Sequence, residues 1–306
     1  MALYVFDGTG NEDRDKTDSK DSNACKFFRA YEDPRNEKTD NDSDLNKTGS
    51  LYLKGIGTRA KTFLGRTLSE AFGIGGHQRV RQAMDRLEKN IDEGDEVIDI
   101  AGFSRGAALA LSFANEIAKK MKDREVRFIG LFDVVGEFGL PGEHVNAGHD
   151  LHMPPNAHNV FHAMALDETR LLFPLTRLSG SAPATGVVLQ EVWFRGVHSD
   201  VGGGNDNATL NGIALNWLFQ NAKRCNLNIT ESAVLANLAS ITKPAKLSTH
   251  PIDAEVRRRI RDTDLLHSSV IIETGARFNN PTVELSRIDD LGTVTKPVAA
   301  AGSGLA

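Results

Sequence analysis

Five residues, Gly102-Phe103-Ser104-Arg105-Gly106, fit the pattern G-x-S-x-G. A serine hydroxyl attacks an acyl carbonyl only when a base takes its proton and amides hold the oxyanion that forms. The pentapeptide alone is a weak signal, but its setting strengthens it. The apolar run Val97-Ile98-Asp99-Ile100-Ala101 precedes it, and the alanine-rich stretch from Gly106 to Lys120 follows. A strand, a sharp turn and a helix in that order lift the serine onto a helix N-terminus, where backbone dipoles favour negative charge. Ser104 is the candidate nucleophile.

His198 is the leading base. It lies in Gly196-Val197-His198-Ser199-Asp200-Val201-Gly202-Gly203-Gly204, just beyond the apolar stretch that ends at Phe194. His267 is its competitor. Asp133 leads as the acid that fixes the imidazole tautomer, because it ends the apolar stretch Val126 to Phe132 and should emerge on the same sheet rim as Ser104. The order Ser, Asp, His is that of α/β hydrolases. Asp167 and Asp200 are rival acids or supporting groups. The oxyanion hole is assigned to the backbone of Asp7, Gly8 and Arg105, since Asp7-Gly8-Thr9 leaves the first strand directly and Arg105 follows the nucleophile. A haloacid-dehalogenase reading of Phe6-Asp7-Gly8-Thr9 fails, because the place of its paired aspartate is Val5.

These residues need a sheet to position them. Residues 2–6 read as a buried strand, 51–54 as a short one, and Val97–Ala101, Val126–Phe132, Val187–Phe194 and Ser269–Glu273 as further strands. Helices are predicted near 77–91, 106–120, 157–166, 210–223, 231–239 and 254–261, with another turn of helix around Ala24, Phe27 and Phe28 capped by Ser22 or Asn23. Gly55 to Gly76 reads as irregular. Short apolar strands alternating with helices predict a mostly parallel sheet covered on both faces. The expected organisation is one α/β-hydrolase-like domain over 1–306, with a core to about 240 and a looser segment over 241–306. The long connections 12–48, which hold 11 acidic and 8 basic residues, and 137–156 are expected to flank the entrance, at least one acting as a gate.

Composition sets the outer limits. Hydrophobic residues make up 40% and charged residues 25% of 306, which fits a globular chain with a large core. The net charge of −5 offers no global basic field for nucleic acid. Cys25 and Cys225 provide neither a disulfide framework nor a multi-cysteine metal site. Histidines at 144, 149, 152, 158 and 162 suggest a metal, yet no HExxH pattern exists. An entrance loop is preferred, with no metal and no cofactor. No signal peptide or transmembrane run is read. The expected location is the cytoplasm of the producing cell, or export without a signal peptide.

Several blocks together resemble one family. They are Phe6-Asp7-Gly8-Thr9-Gly10-Asn11, Gly94-Asp95-Glu96-Val97, Gly102 to Ala107, Phe128 to Gly136, His162 to Glu168 and Trp193 to Gly204. Their order and spacing are similar to the α/β-hydrolase domain that typifies the catalytic part of one class of type VI secretion phospholipase effectors. The resemblance implies a Ser/Asp/His hydrolase with Ser104, Asp133 and His198 in those roles, lipid esters as substrates, and phospholipase A-type cleavage. It also implies a secretion-apparatus or immunity protein as partner. Gly10 stands where members often have an aromatic. Other readings of the same residues are a small-ester carboxylesterase with no membrane role, and a silent binding module that keeps the fold.

Overall fold

The computed structural model describes residues 1–11, 20–35, 48–56, 66–136, 148–179, 186–241, 246–248, 256–275 and 277–297. In chain order they form β1 (Ala2–Phe6), α1 (Asn23–Ala30), β2 (Leu51–Leu53), α2 (Arg66–Asp92), β3 (Ile98–Phe103), α3 (Arg105–Lys120) and β4 (Val126–Phe132). Then come β5 (Ala157–Ala165), β6 (Val188–Phe194), α4 (His198–Gly202), α5 (Ala208–Arg224) and α6 (Glu231–Ser240), and last β7 (Leu265–His267), β8 (Arg287–Ile288) and β9 (Val294–Thr295).

The strands build one sheet in the order β2-β1-β3-β4-β5-β6-β7-β8-β9. Every neighbouring pair is parallel except β8 with β9. Side chains alternate across a strand, and both faces are covered. Tyr4, Phe6, Ile98, Ile100, Ile129 and Leu131 face a core that includes Val80, Met84 and Leu87 of α2 and Leu111 and Phe113 of α3. Leu3, Val5, Ala101, Phe128 and Phe161 face the opposite core, with Phe27 of α1 and Trp217 and Phe219 of α5. This is an α/β fold with helices on both faces, as the alternating pattern predicts. α1 begins where Ser22 accepts the Cys25 amide at 3.0 Å, an N-cap that satisfies one orphan donor.

Four elements differ from the sequence reading. Residues 157–165 form β5, a strand between β4 and β6, and not a helix. Apart from His162, its run of buried residues is apolar on both sides, so helical spacing and a doubly covered strand fit the same letters. Of the predicted helix 254–261, residues 256–261 are irregular, and 254–255 lie outside the described residues. The strand read at 269–273 is irregular, while the pairing strand is β7, four residues earlier in the chain. α2 begins at Arg66, through glycines read as irregular. At Gly76 a β-carbon would lie 2.7 Å from the His149 ring, so the glycine serves a close contact inside a helix.

Candidate active site

Parallel strands deliver their carboxyl ends to one rim. Asp7 leaves β1 there, Ser104 leaves β3, Asp133 leaves β4, Asp167 and Glu168 follow β5 by one turn, and His198 follows β6. Ser104 sits between β3 and α3 with φ 58° and ψ −128°, a left-handed backbone that an L-residue adopts only where its surroundings hold it. Its amide donates to Phe132 O at 3.0 Å, and its carbonyl accepts from Val135 N at 3.3 Å, so β4 holds the turn from both sides. Gly106 lets β1 cross the start of α3, since a β-carbon would lie 2.3 Å from Phe6 O.

The three groups singled out from the sequence form one hydrogen-bonded chain. Ser104 Oγ lies 2.9 Å from His198 Nε2, and Asp133 Oδ2 lies 2.6 Å from His198 Nδ1. All three are buried. The imidazole is packed between Phe103 and Phe173, with centroid separations of 4.7 and 4.8 Å. Burial pushes His198 below its ordinary value, and the adjacent Asp133 carboxylate opposes that push. A neutral imidazole with a proton on Nδ1 bound to Asp133 would present its Nε2 lone pair to the Ser104 hydroxyl.

Asp133 carries more than the histidine. Burial alone would raise its carboxyl, but the Arg258 guanidinium and His198 hold it well below the usual carboxylate range. Arg258 grips it with two nitrogens, at 2.5 Å to Oδ1 and 2.9 Å to Oδ2. The same guanidinium donates to Ala165 O at 2.8 Å and Phe173 O at 3.0 Å. Asp133 Oδ1 also accepts the Ala165 amide at 2.8 Å. A charged carboxylate with this many donors is fixed in one rotamer. Glu168 holds His198 from the other end: its Oε2 accepts the His198 amide at 3.0 Å and the Arg170 guanidinium at 2.8 Å. Burial works against the Glu168 charge, yet its bonds with Arg170 bring it down to about 2.

Neither rival acid reaches the imidazole. Asp200 accepts Val197 N at 3.1 Å, Asn205 at 2.9 Å and Asn207 at 2.8 Å, which shapes the loop that carries His198. Asp167 is buried; it pairs with Arg195 at 2.7 Å and accepts Gly196 N at 2.8 Å. His267 stacks on Phe194 and bonds Ser269 and Asp290. The first-strand amides assigned to the oxyanion hole are engaged elsewhere: Asp7 N donates to Leu53 O at 2.9 Å, and Gly8 N to the Asp7 carboxylate at 2.6 Å. That carboxylate also accepts Ser22 Oγ at 2.7 Å and Tyr52 Oη at 2.5 Å. Among the described residues the Thr9 amide has no acceptor, and the Thr9 hydroxyl is buried without a partner. Arg105 opens α3, so its amide has no intrahelical acceptor.

The histidines do not assemble. His158 is exposed beside Glu125, and His162 is buried against Glu191 and accepts Val134 N. His149 packs on His77 and bonds Ser112, His152 bonds Asp150, and His144 lies outside the described residues. Among the described residues no group of three or more His, Cys, Asp or Glu could hold a metal. The entrance segments read at 12–48 and 137–156 fall largely on 12–19, 36–47 and 137–147, outside the described residues. Nor is any described helix long and apolar enough to cross a membrane. Sequence reasoning missed Arg258, Glu168 and Phe173. Only the arginine run 257–259 carried a signal, and its charge did not name a partner.

Comparison with known proteins gives one family. The chain matches "T6SS, Phospholipase effector Tle1-like, catalytic domain" over residues 3–120 and 112–221. No curated protein matches it significantly. Among solved structures it is similar to an uncharacterized protein from Pseudomonas aeruginosa at 18% identity and TM-score 0.49; that match covers 79% of this chain and 48% of the other, so the chain spans about half its length.

Proposed function

The chain belongs to the Tle1-like catalytic-domain family of type VI secretion phospholipase effectors, and from that footing we propose that it is a serine esterase that cleaves lipid carboxylic esters, in the manner of a phospholipase A. The observation that carries the reading is the Ser104–His198–Asp133 chain, with contacts of 2.9 and 2.6 Å, set on a left-handed turn between β3 and α3.

In this reading Ser104 Oγ attacks the ester carbonyl while His198 Nε2 takes its proton. The tetrahedral oxyanion is held by backbone N–H groups at the start of α3, with Arg105 first among them, and by Thr9 at the end of β1. The Asp7, Ser22 and Tyr52 bonds set the path of that turn. Collapse of the intermediate breaks the ester C–O bond, and the imidazolium returns its proton to the leaving alcohol, a lysophospholipid. Water then repeats the cycle on the acyl-enzyme and releases a fatty acid. Asp133 keeps the imidazole in the working tautomer and stabilises its cation. No metal or cofactor takes part in these steps. The partners implied are a lipid substrate and, by family membership, a secretion-apparatus or immunity protein.

A serine-directed fluorophosphonate should label the protein, and Ser104→Ala should abolish labelling while keeping the fold. Incubation with a membrane extract should then release fatty acid and lysophospholipid with wild type alone. Full hydrolysis by Ser104→Ala would end the proposal.

A further inference from the structure

We propose that the arginine-walled cavity beside His198 receives the phosphate headgroup of a glycerophospholipid whose acyl ester lies at Ser104; this rests on the serine-esterase reading above. The cavity has a volume of about 290 Å³, and its walls include Arg170, Arg177, Arg257, Arg258, Arg259 and Arg261. Four carboxylates pair with these side chains: Glu168 with Arg170, Asp133 with Arg258, and Glu191 and Asp264 with Arg177. Leaving Arg257 aside, five guanidinium groups against four carboxylates leave a local excess of positive charge in a chain whose net charge is −5. Arg259 is exposed and has no carboxylate partner among the described residues. Guanidinium forks match phosphate oxygens in shape as well as charge.

Position ties this charge to the reacting atoms. Phe173 lines the cavity, its ring touches the His198 imidazole, and the Arg170 guanidinium sits 3.8 Å over the same ring. The cavity therefore begins one phenyl ring from the catalytic base. In a glycerophospholipid the phosphate is only a few bonds from the acyl ester. The volume lies at the small end of ligand sites, roughly 300–1,000 Å³, which suits a headgroup and leaves the acyl chains outside. Exposed Leu171 and Val256 on the walls place apolar surface beside the arginines. That mixture fits a lipid at a bilayer surface better than a free phosphate ion.

The test compares wild type, Arg259→Glu and Lys122→Glu. Lys122 is exposed in the turn between α3 and β4 and makes the same charge change far from the cavity wall. Substrates are phosphatidylglycerol vesicles, diacylglycerol with the same acyl chains in a neutral carrier, and p-nitrophenyl butyrate. Arg259→Glu should lower kcat/KM on phosphatidylglycerol roughly tenfold, mainly through KM, with a smaller effect on the two phosphate-free esters. Lys122→Glu should not reproduce that selective loss. Equal losses from both reversals, or equal losses on phosphatidylglycerol and diacylglycerol, would overturn the proposal. Competitive inhibition by inorganic phosphate without any preference for phosphatidylglycerol over diacylglycerol would overturn it too, in favour of a free anion. If wild type hydrolyses none of the three, the esterase reading fails on its own. Cosedimentation of Ser104→Ala with phosphatidylglycerol vesicles then decides the cavity: unchanged vesicle binding after adding Arg259→Glu refutes it.

Discussion

Replacing Arg258 by glutamine removes a charge that the Ser104–His198–Asp133 chain is built around. The guanidinium and the imidazole touch the same Asp133 oxygen, at 2.9 and 2.6 Å, so their facing nitrogens are no more than about 5.5 Å apart. At an effective dielectric constant near 20, two unit charges at that distance repel by about 3 kcal/mol. Rearrangement and water entry around the glutamine reduce this, and a rise of about one unit in the His198 pKa is the expected size. The sign follows from the protonation step. Arg258 disfavours the imidazolium, so its loss favours protonation and moves the acid limb of kcat/KM to higher pH. In wild type that limb should lie below the ordinary histidine value near 6.5, because burial lowers His198. A second effect is structural. Removing one partner of a buried ion pair costs roughly 3–5 kcal/mol, and here Ala165 O and Phe173 O lose donors as well. Arg258→Lys separates the two effects: it keeps the charge but not the fork, so the inflection should stay near wild type while stability falls. The assays are a pH profile of p-nitrophenyl butyrate hydrolysis and urea unfolding. An Arg258→Gln protein with an unmoved inflection and wild-type stability would refute this account of the pair.

Asp133→Asn should retain the fold yet lose several orders of magnitude in kcat, since the amide supports the wrong imidazole tautomer; near-normal turnover would show that another group orients His198. His149, buried against Ser112 and stacked on His77, is lowered to about 4, first by burial and then by its histidine neighbour. The unfolded chain therefore binds more protons below pH 6.5, and stability should fall as pH drops from there toward 4, by at most about 3 kcal/mol. His149→Gln should flatten that slope in a series of urea titrations, and an unchanged slope would assign the pH dependence to other groups.

The parts of this site that were legible in the sequence are the parts governed by local rules. A strand, a G-x-S-x-G turn and an alanine-rich helix can be read from a short window, and the turn at Ser104 has the strained backbone that this pattern demands. Asp133 was legible because an apolar strand ends at it, and parallel strands bring their ends to one rim. Helical spacing misled at 157–165, because a strand covered on both faces has no polar side to reveal its period. The remaining features depend on long-range contacts. Arg258 meets Asp133 across 125 residues and Glu168 meets His198 across 30. Residues 256–261 form no regular element, although their pattern reads as a charged helix. What makes the arginines informative is the pairing: Asp133 and Glu168 each bridge one His198 contact and one arginine of the cavity wall. Charge placed in that cavity is thus coupled through a carboxylate to either end of His198. A phosphate arriving there would partly offset the arginine field that disfavours the imidazolium, and so would favour proton uptake from Ser104 when the headgroup is in place.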